Sequence, residues 1–113
     1  MTDVFITIPK PLVKERSKIT ATCYCRDGDS SDTPTTADYR IDCLTTGTTI
    51  QDWASLTPAA SISISITPTH NRIVNSGNKR EKKQLTVSAD RGTSSETRDT
   101  IIWKVENIRG FDG

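Results

Sequence analysis

The sequence predicts an all-β protein built as a sandwich of two sheets. Three observations carry that reading. Residues 61–67, SISISIT, alternate Ser and Ile without a break, and a period of two puts each residue type on its own face of a pleated strand. Comparable segments recur along the chain with Gly-, Pro-, Asn- and Asp-bearing turns between them, giving about seven short strands, the pattern of a β-sandwich. No segment sustains the 3.6-residue period of an amphipathic helix.

Taken in order, Val4 to Ile8 reads as a short strand closed by Pro9 and Pro11, since proline cannot donate to a ladder. Together with the basic stretch that follows, residues 1–16 form an N-terminal arm or edge strand, and 17–113 form the sandwich. Residues 18–26, KITATCYCR, place Ile19, Ala21, Cys23 and Cys25 inward, with Thr20, Thr22, Tyr24 and Arg26 outward. DGDSSDTPTT (27–36) is a polar loop. Residues 37–44 put Tyr39, Ile41 and Cys43 on one face. A turn around Gly47 leads to a short strand near Thr48–Trp53.

In 61–67, Ile62, Ile64 and Ile66 face one way, and Pro68 stops the pairing. THNRIVN (69–75) suits a short turn, and NSGNKREKK (75–83) a charged loop or hairpin. Residues 84–90 place Leu85, Val87 and Ala89 on one face; ADRGTSSET is another polar turn. The last strand, 100–108, has Ile101, Trp103 and Val105 on one face and Ile102 and Ile108 on the other, which predicts cover on both sides. No internal repeat, linker or second domain is evident.

Composition narrows the function classes. The 113 residues suit one domain. One third are hydrophobic and only 5% aromatic, so the core must be thin and mainly aliphatic. Fifteen basic and fourteen acidic residues leave a formal charge of +1, which provides no global field for nucleic acid or an anionic membrane. MTDVFITIPKP has no charged region followed by an apolar run, so no signal peptide is expected. No apolar stretch reaches the roughly 20 residues of a membrane helix.

Three cysteines is an odd number, which speaks against a secreted disulfide scaffold. Cys23, Cys25 and Cys43 with His70 could be drawn as a zinc site. However, C-x-C inside a strand is not the C-x₂-C knuckle, and buried cysteine acting as a small hydrophobe is the favoured reading. A disulfide from Cys43 to one of the other two stays open. His70, in PTHNR, has no nucleophile or acid signature beside it. No Gly-rich phosphate loop, HExxH or nucleophile elbow is present, so the expectation is a non-enzymatic protein without cofactor or metal.

Lys79, Arg80, Lys82 and Lys83, interrupted by Glu81, form a basic cluster. It reads first as a solvated hairpin end and second as a contact for an acidic protein surface. Stacking aromatics are not interleaved with it, which disfavours nucleic acid. Trp103 suits core packing. Trp53, after IQD in a stretch that reads as a loop, could instead be an exposed anchor for a partner.

The run TPTTADYRIDCLTTGTTIQDWASL, the alternating Ile strand, and KKQLTVSADRGTSSETRDTIIWKVENI together resemble small immunoglobulin-like structural proteins of tailed bacteriophages. The likeness covers roughly residues 17–108. It implies an immunoglobulin-like antiparallel β-sandwich acting as a capsid cement or decoration protein. Such a protein is made in the host cytoplasm, sits on the virion beside neighbouring copies, and stiffens the shell by binding the major capsid protein. The contact positions expected on that basis are Val4, Phe5, Ile6 and Ile8 in the arm, the basic patch Lys79, Arg80, Lys82 and Lys83, and Trp53. The alternative is a tail or fibre adhesion module that binds a host glycan or protein. A small enzyme or nucleic-acid binder is a third class, testable by metal on Cys23 and Cys25 or by salt-sensitive DNA binding.

Overall fold

A computed structural model describes residues 3–28, 30–75 and 77–107. The described strands are β1 (Asp3–Thr7), β2 (Leu12–Lys14), β3 (Ile19–Asp27), β4 (Ser30–Ser31), β5 (Ala37–Cys43), β6 (Thr48–Leu56), β7 (Ser61–Ile66), β8 (Arg80–Ala89) and β9 (Thr97–Glu106). They form two sheets. In the first, β3 pairs with β1 on one side and with β4 and β7 on the other. The second runs β2-β9-β8-β5-β6. All pairings are antiparallel except β2 with β9. The architecture is a β-sandwich consistent with the immunoglobulin-like class.

The one parallel pairing has a local cause. The chain leaves the first sheet after Thr7 and enters the second at Leu12, passing through Pro9 and Pro11. Neither proline can donate a ladder hydrogen bond, so the chain is free to switch sheets there. Pro11 still contributes its carbonyl, which accepts from the Lys104 N–H at 2.8 Å.

The core is the set of inward positions on both sheets. Val4, Ile6, Ile19, Ala21, Cys23, Cys25, Ile62, Ile64 and Ile66 come from the first sheet. They meet Val13, Ala37, Ile41, Leu85, Val87, Ala89, Trp103 and Val105 of the second. Each large aliphatic chain buried this way contributes about 1.5–3 kcal/mol of transfer free energy. The ladder Cys23↔Ile62, Ala21↔Ile64 and Ile19↔Ile66 sets inward side chain beside inward side chain. A one-residue slip would turn three isoleucines to solvent.

Several boundaries differ from the sequence reading. β6 runs on to Leu56 and contains Trp53, so the tryptophan stands on a strand and not in a loop. β8 begins at Arg80, inside the stretch read as a charged loop. β9 begins at Thr97. Ile102 is 48% exposed, so the outer face of β9 is not covered at this residue. Ile108, expected on the same face, lies outside the described residues.

Residues 3–14 are integral to the sandwich. Val4 and Ile6 are buried against the core, and the Ile6 N–H donates to Asp99 Oδ2 of β9 at 3.0 Å. Trimming residues 1–11 would therefore remove core side chains, so the sandwich would not be left intact.

Between β7 and β8 the chain folds around Asn71, which is fully buried. Its Oδ1 accepts from Trp103 Nε1 at 2.8 Å, its Nδ2 donates to the Ser17 carbonyl at 2.6 Å, and its own carbonyl accepts from the Arg16 N–H at 2.9 Å. One residue thus ties the β7–β8 connection to two other segments, the turn at Arg16 and Ser17 and strand β9. A buried amide is tolerated because its polar atoms are satisfied. At the opposite end Asp90, held at a φ of 57°, accepts from the N–H groups of Thr35 and Thr36 at 2.9 and 3.2 Å.

Candidate partner-binding surface

The outer face of the five-stranded sheet concentrates the polar and charged chemistry. Register places its residues in rows. Leu12 lies beside Lys104, and Lys104 beside Lys82. Leu44 follows, its N–H donating to the Lys82 carbonyl at 2.8 Å. The next row is Ile102, Gln84 and Asp42, then Thr100, Thr86 and Arg40, then Arg98, Ser88 and Asp38.

The two ends of this face behave differently. At one end Trp53 is braced by two guanidiniums, with Arg91 and Arg98 at 4.7 and 5.0 Å from its ring centroid, close enough for cation–π attraction. Each of these arginines also has a carboxylate: Arg91 pairs with Asp38 at 3.6 Å, and Arg98 with Glu96. Arg40 lies 3.1 Å from Asp42 and 3.8 Å from Asp52, and donates to Thr49 Oγ1 at 2.8 Å. Glu96 also accepts from Ser88 Oγ at 2.6 Å. That bond, then the one from Arg98, holds its carboxyl down to about 2. Charge at this end is internally balanced around a broad, shallow recess.

At the other end Lys82 and Lys104 form no ion pair with a described residue, and the one such contact of Arg80 among the described residues is long, 3.8 Å to Glu106. Around them Leu12, Leu44 and Ile102 are 40%, 42% and 48% exposed. Apolar groups flanking uncompensated ammonium groups make a surface suited to an acidic protein patch with an apolar centre, because such a partner satisfies both at once.

The basic cluster read from the sequence divides on the structure. Arg80 and Lys82 point outward, whereas Glu81 and Lys83 point into the protein with fully buried side chains. Lys83 Nζ donates to Glu81 Oε1 at 3.0 Å. Lys83 therefore does not belong to a contact patch, whereas Lys79 is exposed just before the strand. The sequence reading missed this because it took a run of charges for a loop, while the strand's two-residue alternation continues through them.

Glu81 holds the β7–β8 connection. Its carboxylate accepts from the Val74 N–H at 2.7 Å, the Asn75 N–H at 2.9 Å and Asn78 Nδ2 at 3.0 Å, and Cys43 Sγ lies 3.6 Å from Oε1. Burial pushes its pKa up, but the hydrogen bonds from Asn75, Val74, Asn78 and Lys83 outweigh that and hold the carboxyl down to about 2. Several donors converging on one carboxylate are what make a buried charge tolerable.

The other expected contact residues are mixed. Val4 and Ile6 fill the core, so their side chains cannot meet a partner. Ile8 is partly buried against the core, and Phe5 is half-exposed beside Tyr24, on the other sheet's outer face.

The three cysteines are free and buried. Burial, then the neighbouring Cys25, pushes the Cys23 thiol up to about 12, and burial likewise raises Cys25. Both are poor nucleophiles and poor ligands in that state. No group of three His, Cys, Asp or Glu is placed to hold a metal among the described residues. His70 is buried, its Nδ1 accepting from the Thr67 N–H at 3.1 Å. Burial, then the Arg72 charge, lowers its pKa, so the imidazole is a neutral turn-holding acceptor.

Comparison with known proteins yields no family model that matches this sequence and no matching curated protein.

Proposed function

We propose that this chain is a non-enzymatic structural protein of a phage virion, a cement or decoration protein that binds the major capsid protein and stabilises the shell. The observation that carries the reading is the lysine end of the five-stranded sheet. Lys82 and Lys104, without ion-pair partners among the described residues, stand between the exposed Leu12, Leu44 and Ile102. A cement role needs a rigid body with an outward recognition surface, and a sandwich with an aliphatic core is suited to that. The resemblance of residues 17–108 to phage immunoglobulin-like structural proteins points the same way.

The adhesion-module alternative would use Trp53 as its anchor. Its support is weaker, because Arg91 and Arg98 already occupy positions over that ring.

Mixing the purified protein with expanded shells that lack it tests the proposal. Binding and a raised shell melting temperature are expected, weakening with salt as charges are screened. The Lys82→Glu, Lys104→Glu double variant should keep its fold and lose shell binding. Binding equal to wild type in that variant removes the lysine end from the interface, and no binding by the wild type removes the cement role.

A further inference from the structure

Unpaired strand edges are templates for adding another strand, and proteins usually block them. Three edges of this sandwich are blocked. β2 is only three residues long, with Pro11 before it and Lys14 in it. β6 is broken by register shifts where it pairs with Tyr39, Ile41 and Asp42, and it displays Asp52. On β1, the outward Ile6 N–H is already held by Asp99.

Among the described residues the β7 edge is bare. β7 pairs with β3 and with no other described strand. The direction of its free groups follows from the ladder. The Cys25 N–H donates toward β7, to the Ala60 carbonyl at 2.8 Å. Because neighbouring residues alternate, Cys23 and Ala21 also point their backbone groups at β7, and their partners Ile62 and Ile64 point back. The N–H and C=O groups of Ser61, Ser63 and Ser65 are left facing away from the sheet. The row ends at Thr67, whose N–H is taken by His70.

This edge also lacks charge. The chain is 26% charged, yet no Asp, Glu, Lys or Arg occurs from Trp53 to Thr69. An acidic or basic partner strand gains nothing electrostatically here, and an identical strand meets no repulsion. We propose that β7 pairs antiparallel with β7 of a second copy, about a two-fold axis through Ser63, so that the two small sheets become one continuous sheet.

Centred on Ser63, the pairing sets Ser61 opposite Ser65 of the other copy and Ile62 opposite Ile64. The three free N–H groups of each chain then meet the three free carbonyls of the other. Ile stays beside Ile on the core side and Ser beside Ser on the outer side, so both cores remain on one side of the joined sheet. The proposal is independent of the shell-binding reading, which uses the opposite sheet.

Sedimentation equilibrium tests it between ~1 μM and ~1 mM, the range of a modest backbone-paired interface. The apparent mass should rise from 12.5 kDa toward twice that value. Ser63→Pro should remove an outward N–H without breaking a bond to β3, and should weaken dimerisation at least about tenfold with the melting transition retained. Ser63→Lys, which places like charges together at the axis, is the second variant should proline perturb the strand. A wild-type protein that stays monomeric throughout overturns the proposal. So does a dimer undiminished in whichever of the two variants is folded.

Discussion

In β7 the inward positions are Ile62, Ile64 and Ile66; in the first half of β8 they are Glu81 and Lys83. Both segments alternate with the same two-residue period, and both send every second side chain out of solvent. β7 lies at an edge with an uncharged backbone row exposed, whereas β8 lies between β5 and β9, pairing with β9 from Arg80 onward and with β5 from Lys83 onward. Inwardness is therefore set by the pleat and not by hydrophobicity. What an inward position demands is either apolar surface or complete hydrogen-bond satisfaction. Isoleucine meets the demand alone, while Glu81 meets it only because Val74, Asn75, Asn78 and Lys83 converge on it.

The largest expected effect breaks the polar side of that comparison. Glu81→Leu leaves Lys83 buried without its carboxylate and two loop N–H groups without an acceptor. A loss of about 3–5 kcal/mol is expected from urea unfolding. Lys83→Met should cost less, about 1–2 kcal/mol, because Glu81 keeps its other donors. Equal losses in the two variants would show that the ion pair, rather than the loop contacts, dominates.

On the apolar side, Ile64→Ala should cost about 2–4 kcal/mol, the price of lost transfer energy plus a cavity. Its loss should show no pH dependence beyond that of wild type. A smaller effect separates the two regions by pH. The Glu81 carboxyl is held at about 2 against an ordinary value of 4.5. A depressed pKa means that its stabilisation is complete above the unfolded value and is lost as pH falls from about 4.5 toward 2. Glu96, also held at about 2, titrates in the same window. Wild type should therefore lose stability across it, and Glu81→Gln should show a shallower decline. Parallel curves for the two proteins would remove Glu81 as a source of the acid sensitivity.

The smallest effect on stability, at most about 1 kcal/mol, is expected for Asp99→Ala, which frees the Ile6 N–H on the β1 edge. Its informative readout is association. Uncapping β1 should make that edge resemble β7 and raise the concentration-dependent mass in sedimentation. No change in mass would mean that Asp99 does not guard the edge.

The apolar strands were legible because their pattern is written in residue types. Ile19, Ala21, Cys23 and Cys25 alternate with Thr and Tyr, and each lies inside as expected. Arg80 to Lys83 offered no contrast between faces, since all four residues are charged. Their strand became visible only through pairing with β9 and the donors that turn toward Glu81. The outer-face surface was legible in part: Lys82 and Arg80 are exposed, but Lys104, Leu12 and Leu44 join them only through register across three strands and the loop beyond β5. Trp53 was open to a loop reading because nothing local predicts that arginines from positions 91 and 98 reach its ring.

By itself the sequence determined the class of fold, the aliphatic make-up of the core and which face of most strands is buried. Those follow from local alternation, which any residue can be read against using only its neighbours two positions away. Tertiary structure alone decided that a glutamate and a lysine share the interior, that the first strand's edge is capped, and that no described strand covers the β7 edge. The two edges depend on groups far apart in the chain meeting within hydrogen-bond range or failing to, and the buried pair on the β7–β8 connection turning Val74, Asn75 and Asn78 toward Glu81; a two-residue alternation encodes neither.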